Sequence, residues 1–330
     1  MEGMVSIIVY HYVRELEHSR YPEIKGLPMN LFKEQLKYIM KHYRIISMEE
    51  LIASVRSSDQ LPRNALLLTF DDAYVDHFTC VFPVLDELGV QGSFFPPAKA
   101  ILEHEVLDVN KIHFVLASIA DKQRLVDDIF SMLDEFRSEY SLRNNQDYFQ
   151  ELATTDRFDS KEVIFIKRIL QRDLPEKLRR KIVQRLFARY LTVDEKAFSR
   201  ELYMSIDQLK CMKRNGMYIG SHGFNHYWLD TLDNDTQQRE IDLSLEFLQE
   251  VGCRPDDWAI SYPYGAYDDN LLSVLKSRGC VVGLSTEVRI ADLSTDNPLT
   301  LPRLDTNDLP KNGRAKSNEW TSKVTGVEKN

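Results

Sequence analysis

LLLTFDDAYVDHF, residues 66 to 78, sets a run of apolar and β-branched side chains directly in front of two adjacent carboxylates. A short run of this kind predicts a strand buried in a sheet. Like charges at the edge of an apolar sheet repel, and one is driven towards neutrality unless a cation or another partner compensates. Asp71 and Asp72 therefore predict a compensating group at the end of this strand.

Similar runs recur at SIIVYHYV (6 to 13), GSFFPPA (92 to 98), GMYIGSH (216 to 222), WAISYPYG (258 to 265) and CVVGLST (280 to 286). Helical stripes lie between several of them. Phe32, Leu36, Ile39 and Tyr43 share one face, and Ile241, Leu245 and Leu248 share another before Gly252, which reads as a C-cap. This alternation predicts an α/β fold of parallel strands joined by helical crossovers.

Residues 105 to 200 have a different composition. They contain no glycine and a single proline, Pro175, and carry the stripes Leu125, Ile129, Leu133, Phe136 and Leu178, Ile182, Leu186. They read as an all-helical insertion. The stretch from 310 to 330 is polar and reads as a loose C-terminal tail.

The chain has 330 residues, enough for a full core, and its 51 acidic against 42 basic side chains exclude a protein that tracks phosphate backbones, so no nucleic-acid partner is expected. Cys80, Cys211, Cys253 and Cys280 are widely spaced, without a CxxC pair, and read as reduced thiols. The first twenty residues lack a basic n-region and His11 interrupts their apolar stretch, so neither a signal peptide nor a transmembrane segment is expected there. A cytoplasmic location is the corresponding expectation.

IGSHGFNHYW places His222 and His226 four apart, with Gly223 and Asn225 between them, on a strand end and the turn after it. Neutral imidazole is a common ligand for a zinc-like ion. Two histidines and one carboxylate make three protein ligands, with positions left for water and substrate. A second carboxylate beside them can take a proton from water. Other readings fail on single residues: phosphotransfer of the haloacid-dehalogenase type needs D-x-D, and Ala73 occupies that place; an HExxH site needs a glutamate where Gly223 stands.

TFDDAY, SHGFNH and SYPYG, in that order, resemble the first three motifs of the polysaccharide deacetylases, the NodB-type carbohydrate esterases. The resemblance covers residues 1–104 and 201–309 and leaves 105–200 unexplained. It implies a distorted (β/α)7-type barrel, into which the all-helical stretch read from composition is a large insertion, and metal-dependent removal of N- or O-acetyl groups from amino sugars. It implies Asp71 as catalytic base, Asp72, His222 and His226 as metal ligands, and Tyr264 as the residue whose backbone N–H helps hold the oxyanion. The ion it implies is divalent, with zinc expected and cobalt or nickel as alternatives.

Some family features are missing. No histidine follows His226 to serve as the usual late general acid. His11, at the end of the first predicted strand, is similar to the early histidine of the circularly permuted poly-N-acetylglucosamine deacetylases, and that resemblance implies it as the acid. Ser261 stands where an arginine often precedes the motif proline, which leaves Asp71 without its usual orienting group; Arg303, in LPRLD, is the candidate replacement. Tyr227, Trp228 and Tyr262 are candidates for stacking on a sugar ring. The expected partner is an amino sugar, nucleotide sugar or oligosaccharide, and the competing expectation is a non-catalytic relative that binds a saccharide or a protein.

Overall fold

The computed structural model describes residues 3–57, 60–154, 159–254 and 256–326. They divide into two compact units: one comprises Met1–Glu15, Gly26–His104 and Ser199–Asn330, the other Leu16–Lys25 and Glu105–Phe198.

The first unit is built on a ring of short strands. Met4–Tyr10 pairs in parallel with Ala65–Asp71, which pairs with Ser93–Phe95, which pairs with Tyr218–Ile219. A parallel bridge between Ser221 and Ile260 passes the ladder to Trp258–Ser261, and that strand pairs with Cys280–Leu284. A bridge from Leu284 to Leu301 leads to Leu304–Asp305, which returns to Ile8 and Val9 of the first strand. The circuit closes, so the α/β unit is a distorted parallel barrel of seven strands. Each of the six stretches that read as strands contributes one, and LPRLD contributes the last.

All seven residues of Ala65–Asp71 are buried, which is why its apolar run shows no alternation. Val5, Ile7, Leu67, Phe95, Ala259, Val282 and Leu284 meet in one cluster. Helices follow the strands and supply the crossovers. Asn234–Val251 is capped by the Asp233 side chain, which accepts from the Thr236 N–H, and ends at Gly252, whose φ of 91° suits a residue without Cβ.

The C-terminal stretch departs from expectation. Instead of lying loose, residues 319–325 form a helix capped by Asn318, and the buried Thr321 hydroxyl sits 2.7 Å from the Tyr38 hydroxyl and accepts from Tyr43 at 2.9 Å. A polar sequence was misleading here because two tyrosines of the barrel layer offer it hydroxyl partners.

The second unit is helical and has its own core, in which Leu125, Ile129, Leu133, Phe136, Leu178, Ile182 and Leu186 are all buried. Outside that core, Asp128, Glu135 and Glu139 on helix Lys122–Tyr140 pair with Arg189, Arg185 and Lys181 on helix Glu176–Tyr190. The reversed order of the partners sets these two helices antiparallel. Among the described residues, no helix is long and apolar enough to cross a membrane.

Candidate metal centre

The strand Ala65–Asp71 ends in a turn that separates the two aspartates. Asp72 and Ala73 have φ of 72° and 53°, in the left-handed region that residues with a Cβ rarely enter. Backbone bonds hold this conformation: the Asp72 N–H donates to the Phe95 carbonyl at 3.2 Å, and the Ala73 carbonyl accepts from the Met204 N–H at 2.9 Å. Strained backbone of this kind marks places where side-chain direction matters.

Asp72 faces both histidines. Its Oδ1 lies 3.4 Å from His222 Nε2 and 3.4 Å from His226 Nε2, and this buried oxygen makes no hydrogen bond. One ligand atom from each residue falls within 4.8 Å of the others. The Tyr74 hydroxyl donates to the other carboxylate oxygen, Oδ2, at 2.6 Å. His222 Nδ1–H donates to the Ser261 carbonyl at 2.6 Å, which leaves the Nε2 lone pair directed at the cluster. An orphaned carboxylate oxygen facing two imidazole nitrogens fits a divalent cation, and the outer hydrogen bonds are those that fix ligand orientation. Burial pushes the Asp72 carboxyl up, but the facing imidazoles more than offset it and hold it well below the usual range. Burial pulls the His226 pKa down; for His222 the negative charges of Asp71 and Asp72 outweigh burial and raise it.

The SHGFNH turn is shaped by its own backbone. Gly223 has φ of 71° and His226 has φ of 59°. Between them, Asn225 donates to the buried Glu240 carboxylate through both its N–H, at 2.9 Å, and its side-chain amide. Glu240 lies on helix Asn234–Val251, so that helix pins the histidine turn.

Asp71 points elsewhere. The Arg303 guanidinium lies 2.9 Å from its Oδ2 and donates to Oδ1 at 3.1 Å, while the Ser261 hydroxyl donates to Oδ2 at 3.0 Å. Arg303 is only 2% exposed and is itself fixed by a bond from Nε to the Ser285 carbonyl at 2.9 Å. Burial raises the Asp71 carboxyl, and Arg303, His222 and His11 more than cancel that, leaving it lowered and ionised. Ser261 serves both halves of the site, through its carbonyl on His222 and its hydroxyl on Asp71.

Tyr264 lies in the turn Pro263–Gly265 with φ of 60° and ψ of 6°. Its ring is stacked on Trp228, with centroids 4.4 Å apart and planes within 2°, and meets the His226 ring edge-on at 4.9 Å. His11 follows the strand Met4–Tyr10 and is exposed, and positive charge on it favours the ionised form of both aspartates. The fold thus brings Asp71, Asp72, His222 and His226 into one buried cluster, with Tyr264 and His11 beside it. Tyr262, by contrast, is fully buried and donates to the Leu299 carbonyl at 2.7 Å, so it is core and offers no face to a sugar.

The fold gives the class: a closed parallel α/β barrel of the NodB type, with its polar cluster at the carboxyl ends of the strands. A family model described as polysaccharide deacetylase matches residues 188–283. The chain is 28% identical over 92 residues to YxkH of Bacillus subtilis (strain 168), which carries a provisional polysaccharide deacetylase name; the match spans 28% of this chain and 33% of that protein. Two solved structures share the fold over nearly the whole chain. The Streptococcus pyogenes deacetylase PplD, determined with acetate, superposes with a TM-score of 0.58 at 17% identity, covering 94% of each chain. IcaB from Ammonifex degensii gives 0.54 at 16% identity, covering 92% of each. The chain therefore resembles the polysaccharide deacetylases both in sequence, over that segment, and in fold.

Proposed function

We propose that the chain is a metal-dependent deacetylase that hydrolyses an N-acetyl or other short N-acyl group on an amino sugar, nucleotide sugar or oligosaccharide. The observation that carries this reading is the division between neighbouring carboxylates: Asp72 faces two imidazoles, while Asp71 is gripped by Arg303 and Ser261. Asp72, His222 and His226 would hold the ion, with zinc expected from a donor set of two imidazoles and one carboxylate, and cobalt or nickel as alternatives. A divalent ion in that position supplies Lewis acidity, which makes water a usable nucleophile near neutral pH and polarises the acyl carbonyl.

The protein's own groups carry the proton steps. Asp71, kept ionised by Arg303, takes the proton of the attacking water. The backbone N–H of Tyr264 donates to the oxygen that gains charge as the carbonyl carbon becomes tetrahedral. His11 gives a proton to the nitrogen as the carbon–nitrogen bond breaks, so the products are a carboxylic acid and a free amine.

The test is release of acetate from the N-acetylglucosamine pentamer by zinc-loaded protein. Asp71→Asn is expected to lower kcat by about 10²- to 10⁴-fold with bound zinc unchanged. Wild-type turnover in Asp71→Asn, or no acetate released by the wild type from acetylated mono- and oligosaccharides, contradicts the reading.

A further inference from the structure

His77 has no place in the steps above, yet its environment is unusual. It is fully buried at the start of a π-helical turn, His77–Val81, among the rings of Phe70, Tyr74 and Phe94, with centroids 5.5, 5.6 and 5.8 Å away. Its Nε2 lies 2.7 Å from the backbone carbonyl oxygen of His11. A carbonyl can only accept, so Nε2 carries the hydrogen. The other ring nitrogen, Nδ1, is buried without a hydrogen-bond partner. A position needed only for packing would be filled at less cost by phenylalanine or leucine, because an unpaired buried acceptor is destabilising. The histidine is there for its donor.

That donor reaches the short gap between two ladders, since just beyond it Val13–Arg14 pairs in parallel with Leu27–Pro28 and the Leu27 N–H donates to the Tyr12 carbonyl at 2.8 Å. The pairing of Met4–Tyr10 with Ala65–Asp71 ends at Tyr10 and Phe70, one residue before His11. Beyond it, the stretch 11–14 is tied to the stretch 74–77 three times. His77 holds the His11 carbonyl, the Tyr12 ring stacks on Tyr74 at 4.0 Å, and Arg14 Nε donates to Asp76 at 2.8 Å. Tyr74 also donates to Asp72. One short segment, residues 71–77, thus carries both aspartates and the contacts that place His11.

We propose that His77 is a positioning residue that sets His11 at a fixed distance from the Asp71–Asp72 pair through its bond to the His11 carbonyl. The inference rests on the reading of His11 as the proton donor. Removing the bond leaves the His11 carbonyl, between the two ladders, without its tie while the Tyr12 and Arg14 contacts remain, and the loosened imidazole then spends less time where the leaving nitrogen forms.

The experiment compares His77→Phe, which keeps the aromatic volume and loses the donor, with His77→Gln, whose amide reaches the place of Nε2. On the N-acetylglucosamine pentamer, His77→Phe is expected to lower kcat about 10- to 100-fold with KM and bound zinc unchanged, and His77→Gln to recover most of the loss. Nuclear magnetic resonance of protein labelled at its eight histidines gives a readout independent of turnover. In the wild type, His77 is expected as the neutral tautomer with hydrogen on Nε2. The His11 ring resonances are expected to move in His77→Phe and return in His77→Gln, while those of His222 and His226 stay. Wild-type kcat in His77→Phe, no recovery in His77→Gln, or hydrogen on Nδ1 of His77 overturns the proposal. A wild type that releases no acetate overturns the deacetylase reading instead, and the tautomer and His11 resonances still decide whether the clamp exists.

Discussion

Asp71 and Asp72 are neighbours with opposite surroundings, and the left-handed backbone at Asp72 is what parts them. The local half of this arrangement was legible in the sequence. Two aspartates after an apolar run and two histidines four apart are patterns within a few residues, and both fall in the cluster. The other half was not, because Ser261 and Arg303 reach Asp71 across 190 and 232 residues. Arg303 was at least a candidate, as a basic residue beside a last strand. Ser261 is legible only as the place of a missing arginine, and nothing near it in sequence shows that its own hydroxyl bonds Asp71. His77 also escaped notice, because nothing near it in sequence shows that its partner is a carbonyl 66 positions away.

His77 leads to a pH prediction. Burial pulls its pKa down from 6.5 to about 4, so between those values the unfolded chain binds a proton that the folded protein does not. Stability therefore rises with pH from about 4 to about 6.5 and this contribution is level above. At the acid end it costs up to about 3 kcal/mol, at 1.36 kcal/mol per pKa unit. In urea unfolding, His77→Gln is expected to show a shallower loss of stability than the wild type between pH 6.5 and 4; parallel curves contradict the assignment.

At the scale of elements, the turns decide the site more than the helices do. The Pro263–Gly265 turn holds Tyr264 at a φ of 60°, and Gly265 follows at 71°. A Cβ on Gly265 would run into the Thr286 side chain as well as strain the backbone. Gly265→Ala is expected to destabilise the protein by about 1 to 3 kcal/mol and to lower kcat by displacing the Tyr264 N–H. Adding Thr286→Ala should recover the steric part and not the conformational part. Thermal unfolding and acetate release measure the two effects; an unaltered kcat in Gly265→Ala argues against the donor role of that turn. Strand existence was readable from apolar runs, but the short strands Tyr218–Ile219 and Leu304–Asp305 owe their places to neighbours on the ring. The helix at Glu319–Thr325 was missed for a related reason, since its anchors are the hydroxyls of Tyr38 and Tyr43 far upstream.

At the scale of the whole molecule, the barrel unit and the helical unit each have a hydrophobic core of their own. Both were foreshadowed by periodicity, the first by uninterrupted runs and the second by stripes three and four apart. Ile129 is fully buried in the helical core. Ile129→Ala is expected to cost about 2 to 5 kcal/mol in urea unfolding while leaving bound metal per folded chain unchanged. A loss of bound metal in the folded variant contradicts that expectation. The barrel unit holds the candidate site because the parallel strands of the ring deliver their carboxyl ends to one mouth, where Asp71, Asp72, His222 and Ser261 collect.

The proposed function stands on a divalent ion held by Asp72, His222 and His226. Elemental mass spectrometry after stripping and reloading with zinc, cobalt or nickel tests it most directly. The account predicts about one equivalent in the wild type and little in Asp72→Ala. No stoichiometric ion in the wild type, or an undiminished content in Asp72→Ala, would contradict it.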